Sequence, residues 1–396
     1  MAEDMDNLVD GATYLDGLPF SLWQWMREYE PVAWHEPAAF PGFWSVTRYD
    51  DVKAVLRDPE HFRSSSGIVL RPSAQGADPG GNRTFALSDP PRHAVIREAV
   101  AAWFAPRHLN TLQAELDVAA HRIVQKAVEA GTIDFVADVA AQLPVDLICA
   151  FLDLPEADRP AVAGWTNQAF CAGTARERSL AHAKILGYFA DLAAERREKP
   201  GDDLVSALAS LAVDGELMSL DEVVLNCDNL LVGGTENVRL ATASGMLALL
   251  EHPEQWELLR RRFDAVESTA VDEILRWTSS ATHMMRKAVA DTRVGDQQIR
   301  EGDLVVCWLP SANRDHRQFG DPDVFDLQRS PNRHLALGAG PHFCVGSRLV
   351  RLEMRTIFRE LCAQVGSVRS AGIPERLDLI VVNGLRSLPL TLQPNK

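Results

Sequence analysis

Leu337-Gly-Ala-Gly-Pro-His-Phe-Cys-Val-Gly346 is the stretch on which the reading of this sequence turns. Its mixture of glycine, proline and polar residues, continued upstream to Ser330, fits neither a core strand nor a helix. The residues after it, roughly Val345 to Cys362, carry a helical run. It therefore reads as a structured loop feeding a helix. Cys344 stands where that helix starts, and unpaired backbone N–H groups with the positive end of the dipole would stabilise a thiolate there. Gly340 and Gly346 would let the backbone fold closely around the sulfur. A lone cysteine can equally be an inert buried thiol. The composition of this loop argues for a ligand, without naming a metal.

Outward from the loop the chain is mainly helical. Apolar residues recur at three and four positions through Leu112 to Val128, Leu180 to Leu192, Val223 to Leu250 and Val271 to Trp277. Strand-like segments are short: Pro31 to His35 with Phe43 to Val46, Val289 to Val306, and Leu377 to Leu392. The fold class is thus mainly α with small β-sheets. No linker, repeat or low-complexity tract divides the 396 residues, so a single domain over 1–396 is expected, with residues 1–18 as a loose N-terminal segment.

A formal net charge of −15 argues against nucleic-acid binding, which depends on lysine and arginine neutralising phosphates. The acidic start MAEDMDNLVDGATYLDG has neither a basic region nor an apolar core, and no apolar run reaches spanning length. The six cysteines have irregular spacings without a C-x-x-C pair, as reduced thiols do. A soluble, cytoplasmic protein that binds no membrane is expected.

One helix stands out. Ser219-Leu-Asp-Glu222 is a capping-box pattern, and the apolar pattern then runs to His252-Pro253, about 45 Å at ~1.5 Å per residue. Gly233 and Gly234 interrupt its middle, each costing roughly 1 kcal/mol against alanine. Either another helix packs closely there, or a flat ligand lies against bare backbone.

The Leu337–Gly346 segment resembles the cysteine-ligand signature of the cytochrome P-450 superfamily, F-x-x-G-x-x-x-C-x-G, in its bacterial form. The resemblance implies that Cys344 is the axial thiolate to haem b, trans to oxygen, where its electron density favours O–O cleavage. It implies a haem held between the long central helix and the helix after the cysteine loop. Leu337 replaces the usual phenylalanine. The likeness continues through Glu273-Ile-Leu-Arg276, similar to the family's structural E-x-x-R helix, with Arg329 as its further arginine, and through scaffold positions Ala312 to Asp315, Phe319, Pro322 and Phe325-Asp326. It runs from about Phe20 to Leu392.

Asp89-Pro-Pro-Arg-His-Ala-Val-Ile-Arg97 opens with an N-cap residue and a proline suited to a first turn. In the family this segment contacts the haem propionates, which assigns His93 and Arg97 to them, joined by Arg286 and His342. These four cations would neutralise two carboxylates that are costly to bury alone. Leu230 to Val238 falls where the family has A/G-G-x-D/E-T, so Gly233 and Gly234 are expected over the haem face, with Gly346 on the sulfur side. Glu236 then matches the acid that organises proton delivery. Asn237 replaces the usual threonine and offers no hydroxyl. Either a water or a substrate hydroxyl completes the relay with Asn237 orienting it, or the chemistry runs by oxidative coupling or peroxide.

The family layout implies a pocket lined by the loop Ser64 to Leu87, by Asn229, Gly233 and Asn237, by Thr282 and His283, and by Asn383 to Leu385. A fairly large or partly polar organic substrate is expected, from secondary metabolism and free or carrier-protein-bound. Arg348, Arg351 and Arg355 make a basic stripe after Cys344, suited to an acidic electron donor or merely solvated. No reductase domain is fused, so ferredoxin and ferredoxin-reductase-type partners are implied. The expected activity is monooxygenation, against the coupling or peroxide-driven alternatives and a non-catalytic haem-binding protein.

Overall fold

The computed structural model describes residues 7–76, 78–171 and 174–395. Its helices are α1 (Phe20–Tyr29), α2 (Tyr49–Arg57), α3 (Arg92–Trp103), α4 (Pro106–Ala130), α5 (Gln142–Phe151), α6 (Arg159–Cys171), α7 (Ala175–Glu198), α8 (Leu204–Ala209), α9 (Leu220–Glu251), α10 (Pro253–Thr278), α11 (Leu309–Ala312) and α12 (Ser347–Gln364). The strands are β1 (Val32–His35), β2 (Phe43–Val46), β3 (Phe62–Arg63), β4 (Thr132–Asp134), β5 (Ala212–Val213), β6 (Glu216–Leu217), β7 (His283–Ala288), β8 (Thr292–Val294), β9 (Gln297–Ile299), β10 (Leu304–Trp308), β11 (Val365–Ser370), β12 (Glu375–Arg376), β13 (Leu385–Ser387) and β14 (Pro389–Pro394). Helices form the body and the sheets are small, as periodicity predicts.

The central helix α9 has the boundaries its sequence announces. Ser219 Oγ accepts from the Glu222 N–H at 3.3 Å while the Glu222 carboxylate accepts from the Ser219 N–H at 2.9 Å, which satisfies two donors that a helix start leaves unpaired. At the other end Pro253 starts α10, which the missing proline N–H permits in a first turn. α9 packs on α5, α7, α10 and α12, and so runs through the helical core.

The largest sheet has the order β1-β2-β10-β7-β3, with β10 parallel to β2 and antiparallel to β7. The run Val305-Val-Cys-Trp308 is fully buried, which its central place between two strands explains. The single strand-like stretch expected from Val289 to Val306 is instead broken. β7 begins earlier, at His283, and a tight β8–β9 hairpin turns at Gly295, whose φ of 55° suits glycine. At the carboxyl end, Leu377–Leu392 resolves into the short β13 and then β14, which pairs with both β11 and β4.

The N-terminal expectation needs correction for residues 7–18, while 1–6 lie outside the described residues. Leu8 and Tyr14 are buried with Trp23, Met26, Phe43 and Trp308, and the Tyr14 hydroxyl donates to the Leu8 carbonyl at 3.0 Å. The segment is acidic, but its two large apolar side chains complete a core under α1 and β2. Among the described residues no helix is long and apolar enough to cross a membrane.

Candidate functional site

The cysteine loop turns on Gly338 and Gly340, at φ of 72° and 71°, which L side chains rarely adopt. The Cys344 N–H donates to the Leu337 carbonyl at 2.9 Å. α12 starts at Ser347, two residues later than expected, and the Gly346 N–H points at the Cys344 sulfur. A side chain at Gly346 would come within 4.0 Å of that sulfur. Gly340 serves differently from its expected role. A Cβ there would strike the Leu56 carbonyl, so it packs the loop onto α2 and does not enclose the sulfur. Burial pushes the Cys344 thiol up, against the lowering pull of the Gly346 N–H, Arg97 and Arg351. The helix start alone therefore does not make a thiolate here; a coordinated cation would.

The four residues assigned to propionates converge beside this loop. The His93 and His342 rings lie 4.1 Å apart, Arg97 donates to the Phe343 carbonyl, and buried Arg286 donates to the Met285 carbonyl at 2.8 Å. His342 Nε2 meets the Ser64 hydroxyl at 3.2 Å, while His93 Nε2 is buried without a hydrogen-bond partner. Their charges differ from the expected four cations. Burial, with Arg97 and Arg286 nearby, pushes His93 down to about 4, and burial with Arg286, His93 and Arg97 pushes His342 down to about 3. Two arginines and two neutral imidazoles remain.

Asp89 does not cap α3, which follows Pro91 without a side-chain cap. Its carboxylate accepts the Ser64 and Ser65 N–H groups at 2.8 and 3.1 Å, fixing the start of the loop 64–87. Among the described residues no carboxylate hydrogen-bonds His93, Arg97, Arg286 or His342. Asp89 acts on buried Arg286 only through space, its oxygens being taken by the Ser64 and Ser65 N–H groups, and a guanidinium buried without a hydrogen-bonded carboxylate is costly. A group bringing two carboxylates fits this cluster, and a metal ion fits the adjacent sulfur.

Opposite lies α9. Asn229, Gly233 and Asn237 recur every four residues and share one face. A Cβ on Gly233 would meet nothing within 4 Å, so bare backbone opens onto free space there. Gly234 is different: a Cβ there would come 2.9 Å from Ile148, so it serves close packing of α5. Close packing thus explains Gly234, while Gly233 leaves the room that the other explanation requires.

Asn237 Oδ1 is buried and has no hydrogen-bond partner among the described residues. Glu236 accepts from Arg239 Nε at 3.0 Å and Nη2 at 2.5 Å, beside a small cavity lined by Thr166, Asn167 and Thr235. Arg239 also reaches the Leu385 carbonyl, at 3.4 Å. The sequence reading missed this arginine, although Glu236 and Arg239 stand three apart on a helix. Thr235 does not replace the missing alcohol, because its buried hydroxyl donates back to the Leu231 carbonyl at 2.8 Å.

Four expected pocket residues turn out to be framework. Thr282 and His283 are wholly buried, and the Thr282 hydroxyl donates to the Ile380 carbonyl. Asn383 Nδ2 donates to the Thr278 carbonyl at 2.7 Å, and Leu385 is fully buried. Thr282 and Asn383 spend their polar groups on the carboxyl-terminal turn and the end of α10, and His283 bonds the Leu70 N–H and the Ile380 carbonyl, so these three are not aimed at a ligand.

On the other side of Cys344, Glu273 and Arg276 are fully buried and joined at 2.7 and 2.8 Å, with Arg329 on the same carboxylate. The basic stripe is largely compensated. Arg351 pairs with Asp272 at 2.8 Å and Arg355 with Glu267 at 3.4 Å, because α10 presents acids to that face; Arg348 remains exposed. A groove beside the β5–β6 hairpin, far along α9 from Gly233, carries Arg92, already paired with Asp214 and Glu222.

A cytochrome P450 family model matches residues 167–362. Cytochrome P450 NovI of Streptomyces niveus is 35% identical over 94% of this chain and 92% of its own length. A steroid C26-monooxygenase of Rhodococcus jostii is 34% identical over 96% of this chain and 83% of its own. The crystal structure of P450 OxyD, involved in the biosynthesis of vancomycin-type antibiotics, superposes with a TM-score of 0.90 at 31% identity, covering 98% of this chain and 99% of that one. Sequence and fold agree, and two arginines and two imidazoles gathered beside the sulfur fit them: the chain belongs to the cytochrome P450 family, as a haem-thiolate oxidoreductase of the oxygen-incorporating kind.

Proposed function

We propose that this chain, as one catalytic domain, is a haem b monooxygenase that inserts one oxygen atom from dioxygen into an organic substrate of secondary metabolism. The observation that carries the reading is the cluster beside Cys344, in which buried His93 and Arg286 join half-buried Arg97 and His342, none of them hydrogen-bonded to a carboxylate among the described residues. In this reading Cys344 would bind the iron, the two arginines and two imidazoles would hold the propionates, and Gly346 and Gly233 would leave room for the haem. Bound there, the haem supplies dioxygen activation, with the sulfur donating the electron density that favours O–O cleavage.

The chain's own residues supply the rest. Glu236, held by Arg239 beside a cavity, takes protons from the solvent side and passes them toward the Asn237 face. Asn229 and Asn237, with the loop 64–87, orient the substrate. The orphan Oδ1 of Asn237 favours a hydroxyl or water donor as the completing group over chemistry without a relay. Involvement of the OxyD neighbour in antibiotic biosynthesis supports a secondary-metabolite substrate. Electrons come from a ferredoxin-type donor, with exposed Arg348 as the uncompensated charge on its side. The reading includes a cytoplasmic setting, consistent with unpaired thiols at Cys149, Cys227, Cys307, Cys344 and Cys362.

The test is reconstitution with a surrogate ferredoxin system and labelled dioxygen, on free substrates and on carrier-protein-bound ones. The expected result is one labelled atom in product, a thiolate-type spectrum of the reduced carbon-monoxide complex that vanishes in Cys344→Ala, and reduction that slows as salt rises. Product without label favours coupling; no product with reductant or peroxide favours a binding protein.

A further inference from the structure

The imidazole of His283 sits among three segments distant in sequence. The Leu70 N–H, in the loop 64–87, donates to Nε2 at 2.9 Å. A backbone N–H can only donate, so Nε2 is the acceptor and the proton of the neutral ring is on Nδ1. Nδ1 then donates to the Ile380 carbonyl at 3.2 Å, in the turn that leads to Leu385. The ring is fully buried and stands edge-on to Trp308, at 5.2 Å between centroids. Burial pushes its pKa down to about 4, so the arrangement is fixed at neutral pH.

The loop that it grips spans the two walls of the site. Its start is tied to the cysteine side through Ser64 and His342, and its end to α9, where the Phe85 N–H donates to Asn226 Oδ1 at 3.0 Å. Between these ends Leu70 is buried, and the neighbouring Ile68 carbonyl accepts from the Met285 N–H at 2.7 Å. Around Leu70 the loop is therefore held by that backbone bond and by the His283 side chain, with a further backbone bond from the Ser73 N–H to the Ala39 carbonyl at 2.9 Å.

We propose that His283 is a positioning residue that sets how far the loop 64–87 closes over the substrate space, and so determines the size of ligand admitted. This rests on the haem-thiolate reading, because the space in question is the one between Cys344 and α9. Asparagine and glutamine separate its two bonds. His283→Asn places an amide near Nδ1, keeping the donor to Ile380 and leaving the Leu70 N–H without an acceptor. His283→Gln places its carbonyl near Nε2, keeping the acceptor for Leu70.

The probe is the absorbance shift on binding imidazole, 4-phenylimidazole and a bulky triaryl imidazole to the full-length, haem-loaded chain. Imidazole affinity should stay within about twofold in both variants, since it reports the iron alone. His283→Asn should change the ratio of bulky-azole to imidazole affinity about fivefold in favour of the larger ligand. His283→Gln should keep the ratio within about twofold of the parent. An unchanged ratio in His283→Asn overturns the proposal, as does an equal change in both variants or a uniform loss for all three azoles. Absence of any azole shift in the parent chain overturns the haem reading itself, and this inference with it.

Discussion

Two Glu-x-x-Arg pairs of identical spacing lie on the neighbouring helices α9 and α10, and they have opposite surroundings. On α10 the Glu273 carboxylate accepts from Arg276 at 2.7 and 2.8 Å, from Asn332 at 3.1 Å, from the Asp326 N–H at 3.0 Å and from Arg329 at 3.3 Å. Arg276 in turn donates to the carbonyls of Asn313, Pro322 and Val324. Both side chains are 0% exposed. On α9 the Glu236 carboxylate is held by Arg239 alone among the hydrogen bonds described, beside a cavity, with side chains 12% and 7% exposed. Spacing puts two side chains on one face and does no more. The number of other donors decides whether the acid is locked in place or held loosely enough for the proton-carrying role proposed for Glu236.

The largest effect should come from breaking the locked pair. In Glu273→Ala, Arg276 is left buried with no counter-charge, and removing one partner of a buried pair typically costs about 3–5 kcal/mol. Urea unfolding of the haem-loaded chain should lose about that much, with haem released at lower denaturant. A loss below about 1 kcal/mol would mean that the carbonyls around Arg276 suffice, and the contrast with α9 would fail.

How much of this was legible beforehand follows the same division. The α9 boundaries could be read because Ser219, Glu222 and Pro253 act locally, and the cysteine loop because Gly338 and Gly340 need positive φ. The four residues beside Cys344 were assigned by resemblance and do converge. What failed depended on contacts between distant segments. Asp89 looks like a cap but serves the amides of Ser64 and Ser65. Gly234 looks like its neighbour but meets Ile148. Arg351 and Arg355 look like a docking stripe until α10 supplies Asp272 and Glu267. His283 looks like a pocket residue because its partners, Leu70 and Ile380, lie 213 and 97 positions away. No local pattern carries that information.

The exchangeable pair predicts a different kind of loss. Glu236→Gln keeps an amide oxygen for Arg239 but removes the titratable proton. Unfolding should shift by less than in Glu273→Ala, and the reduced carbon-monoxide spectrum should be unchanged. Product formed per reductant consumed should fall roughly tenfold, the low side of what a positioned acid contributes. Peroxide-driven turnover should be largely spared, since it bypasses the delivery of protons to bound dioxygen. A variant that unfolds as readily as Glu273→Ala would make Glu236 a second structural lock.

The smallest effect sharpens the comparison one residue further on. Asn237 carries a buried Oδ1 with no hydrogen-bond partner, and leaving such an acceptor unmet costs about 1–3 kcal/mol. A water or substrate hydroxyl that donates to it relieves that cost and is held next to the acid. Threonine at this position is shorter, and its hydroxyl can turn back to the Gly233 carbonyl, as Thr235 does to Leu231. The donor would then lose its anchor although the chain had gained an alcohol. Asn237→Thr should therefore leave haem binding and unfolding unchanged, lower product per reductant about two- to threefold, and raise peroxide release to match. The loss should be greatest for substrates that carry a hydroxyl if the substrate supplies the donor, and independent of that group if water does. Unchanged coupling across both substrate types would remove Asn237 from the relay and leave Glu236 acting through groups that do not touch its neighbour.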